Sequence, residues 1–468
     1  MNRSTVTCWM TALLAVLGTG SPAAAYDWEI TRLDEREGFM HSESLAVGPD
    51  GTIYVSYVLV PNPPSDAGEV YVARRNDGVW TRTLVSDSFV GYGTAIAVNP
   101  VTQQPGVVFQ AAGGYAGRHV GFWEFDGVEW VEQDVPQSPL RSVYCLAYTS
   151  NGEAYVAYGI TTTVAGETIY FSRVIRRTTD GWEDVPIPVQ GDWLNLAGNG
   201  ANVIAAGTSA TRGQPGLRWL DVMQFLPNDL SAATVDQLPA EAVDGNVSVR
   251  TPGLAIDRDG HILASYCMAY SMDTEDFAEV KLARYDETGW NEPEVLLGGG
   301  SIADPTAYSL ALQFYQYTTV TVTDERVPFV FGVSQDYAAL NVAMPRPEGW
   351  TVYTIDTAGS CSGLWRGHGA GIDPETNAPI VAYAKGAQHQ VDTVVHVARL
   401  IPPSGDSDTD GDVDLSDFGA FADCQGGPDQ SPNEAPTVDE CLRVFDFDLD
   451  GDVDLHDFAS FQEEFTGV

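Results

Sequence analysis

A short tryptophan-containing segment recurs along most of the chain and constrains the fold more than any other feature. It reads YDWEITRL, DGVWTRTL, DGVEWVEQDV, DGWEDVPI, TGWNEPEVL and EGWTVYTI in its successive copies. The tryptophans of these copies are 52, 50, 52, 108 and 60 residues apart. Because 108 residues are about two periods, we interpret the region as seven units of about 54 residues, one of which has lost its tryptophan.

Each unit contains three further strand-like segments. The first reads SLAV, AIAV, CLAY, NLAG, GLAI, SLAL and GAGI in successive units, and the second reads TIYVSYV, GVVFQA, AYVAYG, NVIAAGT, HILASYC, PFVFGV and PIVAYA. The third reads VYVARR, VGFWEF, YFSRVI, LRWLDV, VKLARY, LNVAMP and VVHVARL. Four short strands in each of seven units, separated by Gly, Asp and Asn turns, predict an all-β, seven-bladed β-propeller over residues 26–401.

The two ends of this repeat region complement each other. The last unit has three strands and no tryptophan strand, whereas residues 28–33 form a tryptophan strand with no unit before it. We therefore predict that the N-terminal strand completes the last blade and closes the ring, which removes exposed sheet edges. The tryptophans are interpreted as packing residues between blades, and a sugar-stacking role is the less favoured alternative.

Two copies of an acidic motif lie near the C-terminus, DSDTDGDVDLSD at 406–417 and DFDLDGDVDLHD at 446–457. Each places carboxylates at positions 1, 3, 5, 9 and 12 and glycine at position 6, which is the ligand spacing of a calcium loop. The aspartate at position 7 is expected to ligate through its backbone carbonyl. The residues predicted to bind two Ca²⁺ ions are Asp406, Asp408, Asp410, Asp412, Asp414, Asp417, Asp446, Asp448, Asp450, Asp452, Asp454 and Asp457.

Apolar residues at helical spacing follow each loop, so each loop is expected to lead into one amphipathic helix without a helix before it. The spaced residues are Leu415, Phe418 and Phe421 in the first copy and Leu455, Phe458, Phe461 and Phe465 in the second. Two such units in about 65 residues, with aspartate at position 12, resemble a dockerin module. The resemblance covers residues 406–468, after a linker at 402–405.

The dockerin resemblance implies a partner. Dockerins bind a cohesin-like scaffold or cell-surface protein and attach secreted, usually polysaccharide-degrading, enzymes to it. The positions that often discriminate between partners read Leu415-Ser416 and Leu455-His456, so the two copies present different faces. The loops start 40 residues apart, further than usual, and the basic patch that often follows the helix is absent.

The N-terminus and the composition predict an exported protein. Arg3, an apolar stretch over residues 10–17 and the small residues at 22–25 predict a secretory signal peptide over residues 1–25, too short to span a membrane. The formal net charge is −42, which argues against binding to nucleic acid or to anionic membranes. Cys424 and Cys441 flank the insert between the loops and are the candidate disulfide pair.

Function on a propeller usually lies where the innermost strands converge. Aligned on the first segment of each unit, the residues four places upstream are His41, Tyr92, Ser142, Asp192, Arg250, Thr306 and Arg366, and Arg141 and His368 lie close by. The candidate ligand-binding residues at the predicted channel mouth are His41, Tyr92, Arg141, Asp192, Arg250, Arg366 and His368. The arginines suit an acidic polysaccharide such as a uronic or sulfated glycan, and Asp192, Tyr92 and a histidine are candidates for acid–base chemistry.

Two functions remain open from the sequence. In the first, the propeller acts on polysaccharide as a hydrolase or lyase, or binds it. In the second, the propeller is a non-catalytic recognition or adhesion scaffold, and the polar ring is an ordinary loop surface. Neither the substrate nor the oligomeric state follows from these residues.

Overall fold

The computed structural model describes residues 26–465 apart from 37–38, 62–66, 77, 114–116, 137–139, 165–166, 187–193, 200–201, 211–217, 227–228, 238–242, 250–251, 273–274, 287, 302–317, 325, 335–338, 348, 358–359, 363–368, 375, 387–392, 409–412, 429 and 433–436. The predicted signal peptide therefore lies outside the described residues. The regular structure described within residues 26–401, called the body below, consists of strands, and that described within residues 402–465, called the C-terminal segment, consists of helices.

The first two repeats form one continuous antiparallel sheet. The first strand of the chain, β1 (Trp28–Arg32), belongs to a different sheet. The next seven pair in chain order: β2 (Phe39–Val47), β3 (Ile53–Val60), β4 (Ala67–Asn76), β5 (Val79–Val98), β6 (Pro105–Gly113), β7 (Gly117–Phe125) and β8 (Trp130–Gln133). The 20-residue strand β5 pairs with β4 through its first half and with β6 mainly through its second half, so it serves both repeats.

The third and fourth repeats are separate four-stranded antiparallel sheets. The third contains β9 (Leu140–Tyr148), β10 (Ala154–Val164), β11 (Glu167–Thr178) and β12 (Gly181–Val185), and the fourth contains β13 (Leu194–Asn199), β14 (Asn202–Ala210), β15 (Arg218–Leu226) and β16 (Asp229–Gln237). Strand β16 reads DLSAATVDQ and occupies the position of the tryptophan strand. Strand β16 explains the interval of 108 residues between Trp182 and Trp290, because the fourth repeat has this strand but lacks the tryptophan.

The fifth and sixth repeats are also antiparallel sheets. The fifth contains β17 (Val243–Val249), β18 (Gly253–Ile256), β19 (Ile262–Met272), β20 (Glu275–Asp286), β21 (Gly289–Trp290) and β22 (Glu294–Ser301), and the sixth contains β23 (Thr318–Val322), β24 (Pro328–Val333), β25 (Leu340–Arg346) and β26 (Gly349–Asp356).

The predicted first strand of the sixth repeat was wrong. The strand that pairs with β24 is TTVTV in β23, whereas the predicted SLAL segment at 309–312 lies outside the described residues. The β-branched residues of TTVTV suit a strand, and only a short turn separates them from β24. This short connection decides the pairing.

The last sheet joins the two ends of the body. Its strands are β27 (Ser360–Ser362), β28 (Ala370–Asp373), β29 (Ala378–Gly386), β30 (Val394–Leu400) and the N-terminal β1. Strand β1 pairs with β30 from Trp28 opposite Leu400 to Arg32 opposite His396. The N-terminal tryptophan strand therefore belongs to the sheet of the last repeat, as its sequence predicted.

The innermost strands of successive repeats contact one another. The series runs β2, β5, β9, β13, β18, β23 and β28, and β28 contacts β2 in turn. Half-buried tryptophans pack between sheets further out: Trp28 meets Phe331 edge-on at 6.0 Å between ring centroids, and Trp182 meets Phe122 at 5.7 Å. These contacts support the interpretation of the tryptophans as packing residues.

The described residues of the C-terminal segment form three helices, one of which was not predicted. They are α1 (Leu415–Cys424), α2 (Val438–Phe445) and α3 (Leu455–Glu464). Helix α2 ends one residue before the second acidic loop, so the expectation of loops without a preceding helix was wrong for the second copy. Thr437 caps α2 by accepting a hydrogen bond from Glu440 N at 3.2 Å. Within the described ranges, no helix has the length and apolarity needed to cross a membrane.

The predicted cysteine pair is present. Cys424 at the end of α1 and Cys441 in α2 form a disulfide with a Cα–Cα distance of 5.4 Å. Both residues are fully buried, so the bond ties α1 to α2 inside the apolar core of the C-terminal segment. In the body, Cys145 and Cys267 are buried in strands and pack as small apolar residues.

We expect the pairing of β1 with β30 to be needed for stability. Leu33 N donates to Val395 O at 3.0 Å and Ile401 N donates to Asp27 O at 2.9 Å. Because hydrogen-bonded pairs alternate along an antiparallel ladder, Thr31 N–H faces β30 and Ile30 N–H faces away. Thr31→Pro should therefore destabilise the protein by about 1–3 kcal/mol more than Ile30→Pro, since only Thr31→Pro leaves a ladder carbonyl unpaired.

Thermal denaturation of the two variants, with calcium present, measures this difference. Both changes restrict the backbone of the same strand, so Ile30→Pro is the matched control. Equal melting temperatures for the two variants would show that the β1–β30 ladder does not contribute to stability.

Candidate metal-binding site

The second acidic loop connects α2 to α3, and its ends are fixed by the helices. Asp446 follows the last residue of α2, and Asp454 is the N-cap of α3, where its side chain accepts a hydrogen bond from His456 N at 2.6 Å. Asp457 Oδ2 accepts from Asp454 N at 2.8 Å, and Asp457 Oδ1 accepts from Phe447 N at 2.7 Å. These bonds close the loop on itself.

The first loop repeats the same hydrogen bonds. Asp417 Oδ1 accepts from Ser407 N at 2.6 Å, and Asp417 Oδ2 accepts from Asp414 N at 2.9 Å. Asp414 is the N-cap of α1, as Asp454 is of α3. The repeated sequence therefore folds as a repeated structure. In each loop, position 9 is the N-cap of the following helix, and the carboxylate at position 12 accepts hydrogen bonds from backbone N–H groups at positions 2 and 9.

Carboxylate oxygens converge in both loops. In each of three groups, one oxygen per residue lies within 4.8 Å of the others: Asp406, Asp408 and Asp417; Asp446, Asp448 and Asp450; Asp452, Asp454 and Asp457. Nine of the twelve predicted ligands are thus in oxygen-rich groups. Asp414 caps α1 beside the first group, and Asp410 and Asp412 lie outside the described residues.

The second loop holds its negative charges at an electrostatic cost. Burial, followed by the charge of Asp457, raises the pKa of Asp446 well above its usual range. Burial and the charge of Asp450 raise the pKa of Asp448 to about 7, and burial raises that of Asp457 to about 8. A cation among these oxygens removes that cost.

A buried oxygen of Asp446 points to a ligand. Asp446 is 0% exposed, and its Oδ1 is buried without a hydrogen-bond donor, while its Oδ2 accepts from Gly451 N at 3.1 Å. A buried carboxylate oxygen with no donor is costly unless it binds an ion. Gly451 has a φ of +94°, which provides the sharp turn at position 6. The residues of the second loop therefore fit a divalent cation with oxygen ligands.

The second loop is pressed against the body. A Cβ atom on Gly451 would lie 2.8 Å from Arg346 Cδ and 3.1 Å from Pro345 O. Tyr26 Oη donates a hydrogen bond to Asp446 Oδ2, and Arg346 Nη1 lies 3.9 Å from the same oxygen. Two residues of the body, Tyr26 and Arg346, thus lie beside a predicted ligand of the second loop, and Tyr353 contacts both of them.

Apolar packing continues across the same boundary. A single buried cluster contains Phe331, Met344 and Leu400 of the body together with Phe421, Phe445, Val453 and Phe461 of the C-terminal segment. The predicted linker takes part as well, because Gly405 is buried and its N–H donates to Val444 O at 2.9 Å. The C-terminal segment is therefore seated on the body rather than held away from it.

The structure leaves the predicted channel-mouth side chains untested. His41, Tyr92 and Arg141 lie on strands β2, β5 and β9, but their side chains are outside the described set. Asp192, Arg250, Arg366 and His368 lie outside the described residues altogether. Their convergence stays a prediction.

A cavity of about 430 Å³ lies among the innermost strands. Strands from all seven repeats line it, through Leu45, Ile96, Leu146, Leu196, Leu254, Thr319 and Ala370 among others. Among the described residues that line it, there is no aspartate, glutamate, histidine, lysine or arginine. Most of the described lining residues are apolar.

One buried carboxyl group on an innermost strand was missed from the sequence. Glu43 on β2 is 1% exposed, and burial raises its pKa well above the usual range. The seven aligned positions had drawn attention to His41 instead. A glutamate in an alternating strand carries no separate sequence signal, since such positions are usually exposed.

No protein-family model and no curated protein matches this chain. An oligogalacturonate lyase in complex with manganese matches with a TM-score of 0.49 and 12% identity, covering 81% of this chain and 95% of that one. A protein of unknown function from Dyadobacter fermentans DSM 18053 matches with a TM-score of 0.43 and 11% identity, covering 80% and 98%. A Trypanosoma rangeli sialidase in complex with sialic acid matches with a TM-score of 0.40 and 12% identity, covering 80% and 59%. Every TM-score is below 0.5, so the function proposed below rests on this chain's own geometry.

Proposed function

We propose that this chain is an exported calcium-binding protein in which a dockerin-like segment attaches a seven-bladed β-propeller to a cohesin-like scaffold or cell-surface protein. The propeller is supported by the succession of innermost strands, each in contact with the next and the last with the first, around a cavity that all seven repeats line. Export is supported by the buried disulfide and by the predicted signal peptide.

The observation that carries the calcium proposal is Asp446. Its donor-free, buried Oδ1 lies in a loop whose neighbouring carboxylates have raised pKa values, so a cation is the missing partner. Ca²⁺ suits this donor set because it takes six to eight oxygen ligands in a flexible geometry. When bound, the ion would supply positive charge and hold the loop ends together. The side chains of Asp446, Asp448, Asp450, Asp454 and Asp457, with the backbone of Asp452, would hold it in the second loop.

The partner proposal rests on the exposed starts of the two helices. Leu415 is 76% exposed and Leu455 is 66% exposed, although both begin amphipathic helices. Ser416 and His456, the adjacent residues, are exposed too. Exposed leucines at equivalent positions of both copies suit a protein partner, and the second loop reaches the body without covering Leu455.

For the propeller, we propose binding to, or action on, an extracellular acidic polysaccharide. The three arginines predicted at the channel mouth support this proposal, because guanidinium groups bind uronate and sulfate bidentately. The buried carboxyl of Glu43 on β2 adds a candidate acid for hydrolysis or elimination.

A second candidate function has its own support. The described residues that line the cavity among the innermost strands include no carboxylate, histidine, lysine or arginine, which favours a non-catalytic recognition or adhesion scaffold with a calcium-stabilised interaction segment. An enzyme would need its catalytic groups at the channel mouth, beyond this cavity.

Calcium titration of the full chain tests the metal proposal. We expect isothermal titration calorimetry to show two sites in the parent, one in Asp408→Ala and one in Asp448→Ala, because each change removes one ligand at position 3 of a loop. Asp423→Ala is the matched control, since Asp423 is an exposed acid on α1 outside both loops. The absence of calcium binding by the parent would rule out this part of the proposal.

A glycan array combined with a lyase and hydrolase screen tests the polysaccharide proposal. We expect the parent to bind a uronic or sulfated glycan, with affinity that falls as salt is added. Arg250→Ala with Arg366→Ala should abolish this binding. Arg173→Ala with Arg176→Ala should keep it, because those arginines pair with Asp184 and Glu183 on the neighbouring strand.

The same screen separates the two candidate functions. Turnover that is lost in Glu43→Gln while binding is kept would establish an enzyme with an acidic group on β2. Binding without turnover would establish the recognition scaffold. If the Arg250 and Arg366 double variant binds every tested glycan as the parent does, the predicted channel-mouth site is wrong.

A further inference from the structure

The second calcium loop differs from the first in what lies behind its position-1 ligand. Asp446 is completely buried, whereas Asp406 at the same position of the first loop is only half-buried. Groups that contact Asp446 come from the body: Tyr26 is 420 residues away in the chain and Arg346 is about one hundred. The repeat sequence gives the two loops the same ligands, and the body makes their surroundings unequal.

Tyr26 and Arg346 hold one oxygen of Asp446 and leave the other for a ligand. Tyr26 Oη donates to Asp446 Oδ2, the oxygen that also accepts from Gly451 N, while Oδ1 has no donor. Tyr26 Oη also accepts from Arg346 Nη1 at 3.3 Å. Two donors on one oxygen orient the carboxylate, and the second oxygen is left without a donor.

The orienting groups are themselves held rigidly. Arg346 Nε donates to Tyr353 Oη at 3.1 Å, and the Arg346 guanidinium carbon lies 5.2 Å from the ring centres of both Tyr26 and Tyr353. The rings of Tyr26 and Tyr353 meet edge-on, with centroids 6.3 Å apart. An arginine enclosed in this way has little rotational freedom, so Asp446 is set in place before a cation arrives.

We propose that Tyr26 and Arg346 are positioning residues for the cation of the second loop. The body then completes one of the two calcium sites. Calcium in that loop in turn fixes the C-terminal segment to the N-terminal end of β1. This inference rests on the proposed calcium binding. We expect the first loop to bind its ion with an affinity that does not depend on Tyr26 or Arg346. Because the two effects are thermodynamically linked, a contact with the body that raises the calcium affinity of the second loop is itself stabilised to the same extent when calcium binds.

Each loop can be tested separately in the full chain. In an Asp408→Ala background only the second loop binds calcium, and there Tyr26→Phe should weaken binding about 10-fold or more, the usual effect of losing an outer hydrogen bond to a metal ligand. In an Asp448→Ala background only the first loop binds, and Tyr26→Phe should leave its affinity unchanged. Tyr26→Phe keeps the aromatic ring and its packing, and Arg346→Met extends the test to the second positioning residue.

The outcomes separate this inference from the calcium proposal itself. A parent that binds no calcium contradicts the proposed function. A parent with two sites, whose second-loop affinity is the same with Tyr26→Phe, overturns only the inference. Equal weakening of both loops by Tyr26→Phe also overturns it, because the effect would then be a general loss of stability.

A measurement on the unmutated chain decides the matter if a variant does not fold. Amide hydrogen exchange of β1 and of residues 340–356 should slow when calcium is added to saturation, since the ion anchors Asp446 against Tyr26 and Arg346. Unchanged exchange in both segments, with calcium bound, would overturn the inference.

Discussion

The N-terminal strand is the element on which both parts of the molecule depend. Strand β1 pairs with β30 over five residues and so joins the two ends of the body in one sheet. Tyr26, two residues before β1, donates its hydroxyl to Asp446 in the second acidic loop. Residues 26–32 therefore complete the last sheet and also contact the C-terminal segment. The closing of the sheet and the position of the helices both depend on this short stretch.

This arrangement places the two similar loops in different electrostatic environments. The first loop is more exposed, and its position-12 carboxylate is satisfied by backbone N–H groups: burial opposes ionisation of Asp417, but the N–H groups of Asp414 and Ser407 outweigh it and lower its pKa. The second loop is buried, and the pKa of Asp457 at the same position is raised to about 8, first by burial. The second loop consequently depends more on a cation for its charge balance.

Periodic features of the sequence were sufficient for the main elements. The tryptophan steps and alternating segments placed nearly every strand, because apolar alternation records which face of a sheet is buried. The acidic spacing located both loops, and the disulfide predicted between the two cysteines that flank the insert is present. In these cases the signal is local: it lies in residues that are neighbours in the chain or that repeat at a fixed interval.

The errors arose where non-local contacts decide the structure. Helix α2 is only eight residues long and is supported by the buried Cys441, Leu442 and Phe445, so its sequence alone gave a weak signal. The first strand of the sixth repeat was predicted at the wrong place, because the SLAL segment resembles the first segments of the other repeats more than TTVTV does. The seat of the second loop on Arg346 was not predictable, because a tyrosine and an arginine in a strand-rich repeat have no pattern that relates them to an aspartate in a distant loop.

The most direct test of this account is a crystal structure of the full chain grown with calcium, with the ions located by their anomalous scattering. The account predicts one ion in each loop, with Asp446 Oδ1 bound to the second ion while Oδ2 keeps its hydrogen bond from Tyr26. A second loop without an ion, or an ion bound by a loop that has separated from Tyr26 and Arg346, would contradict it.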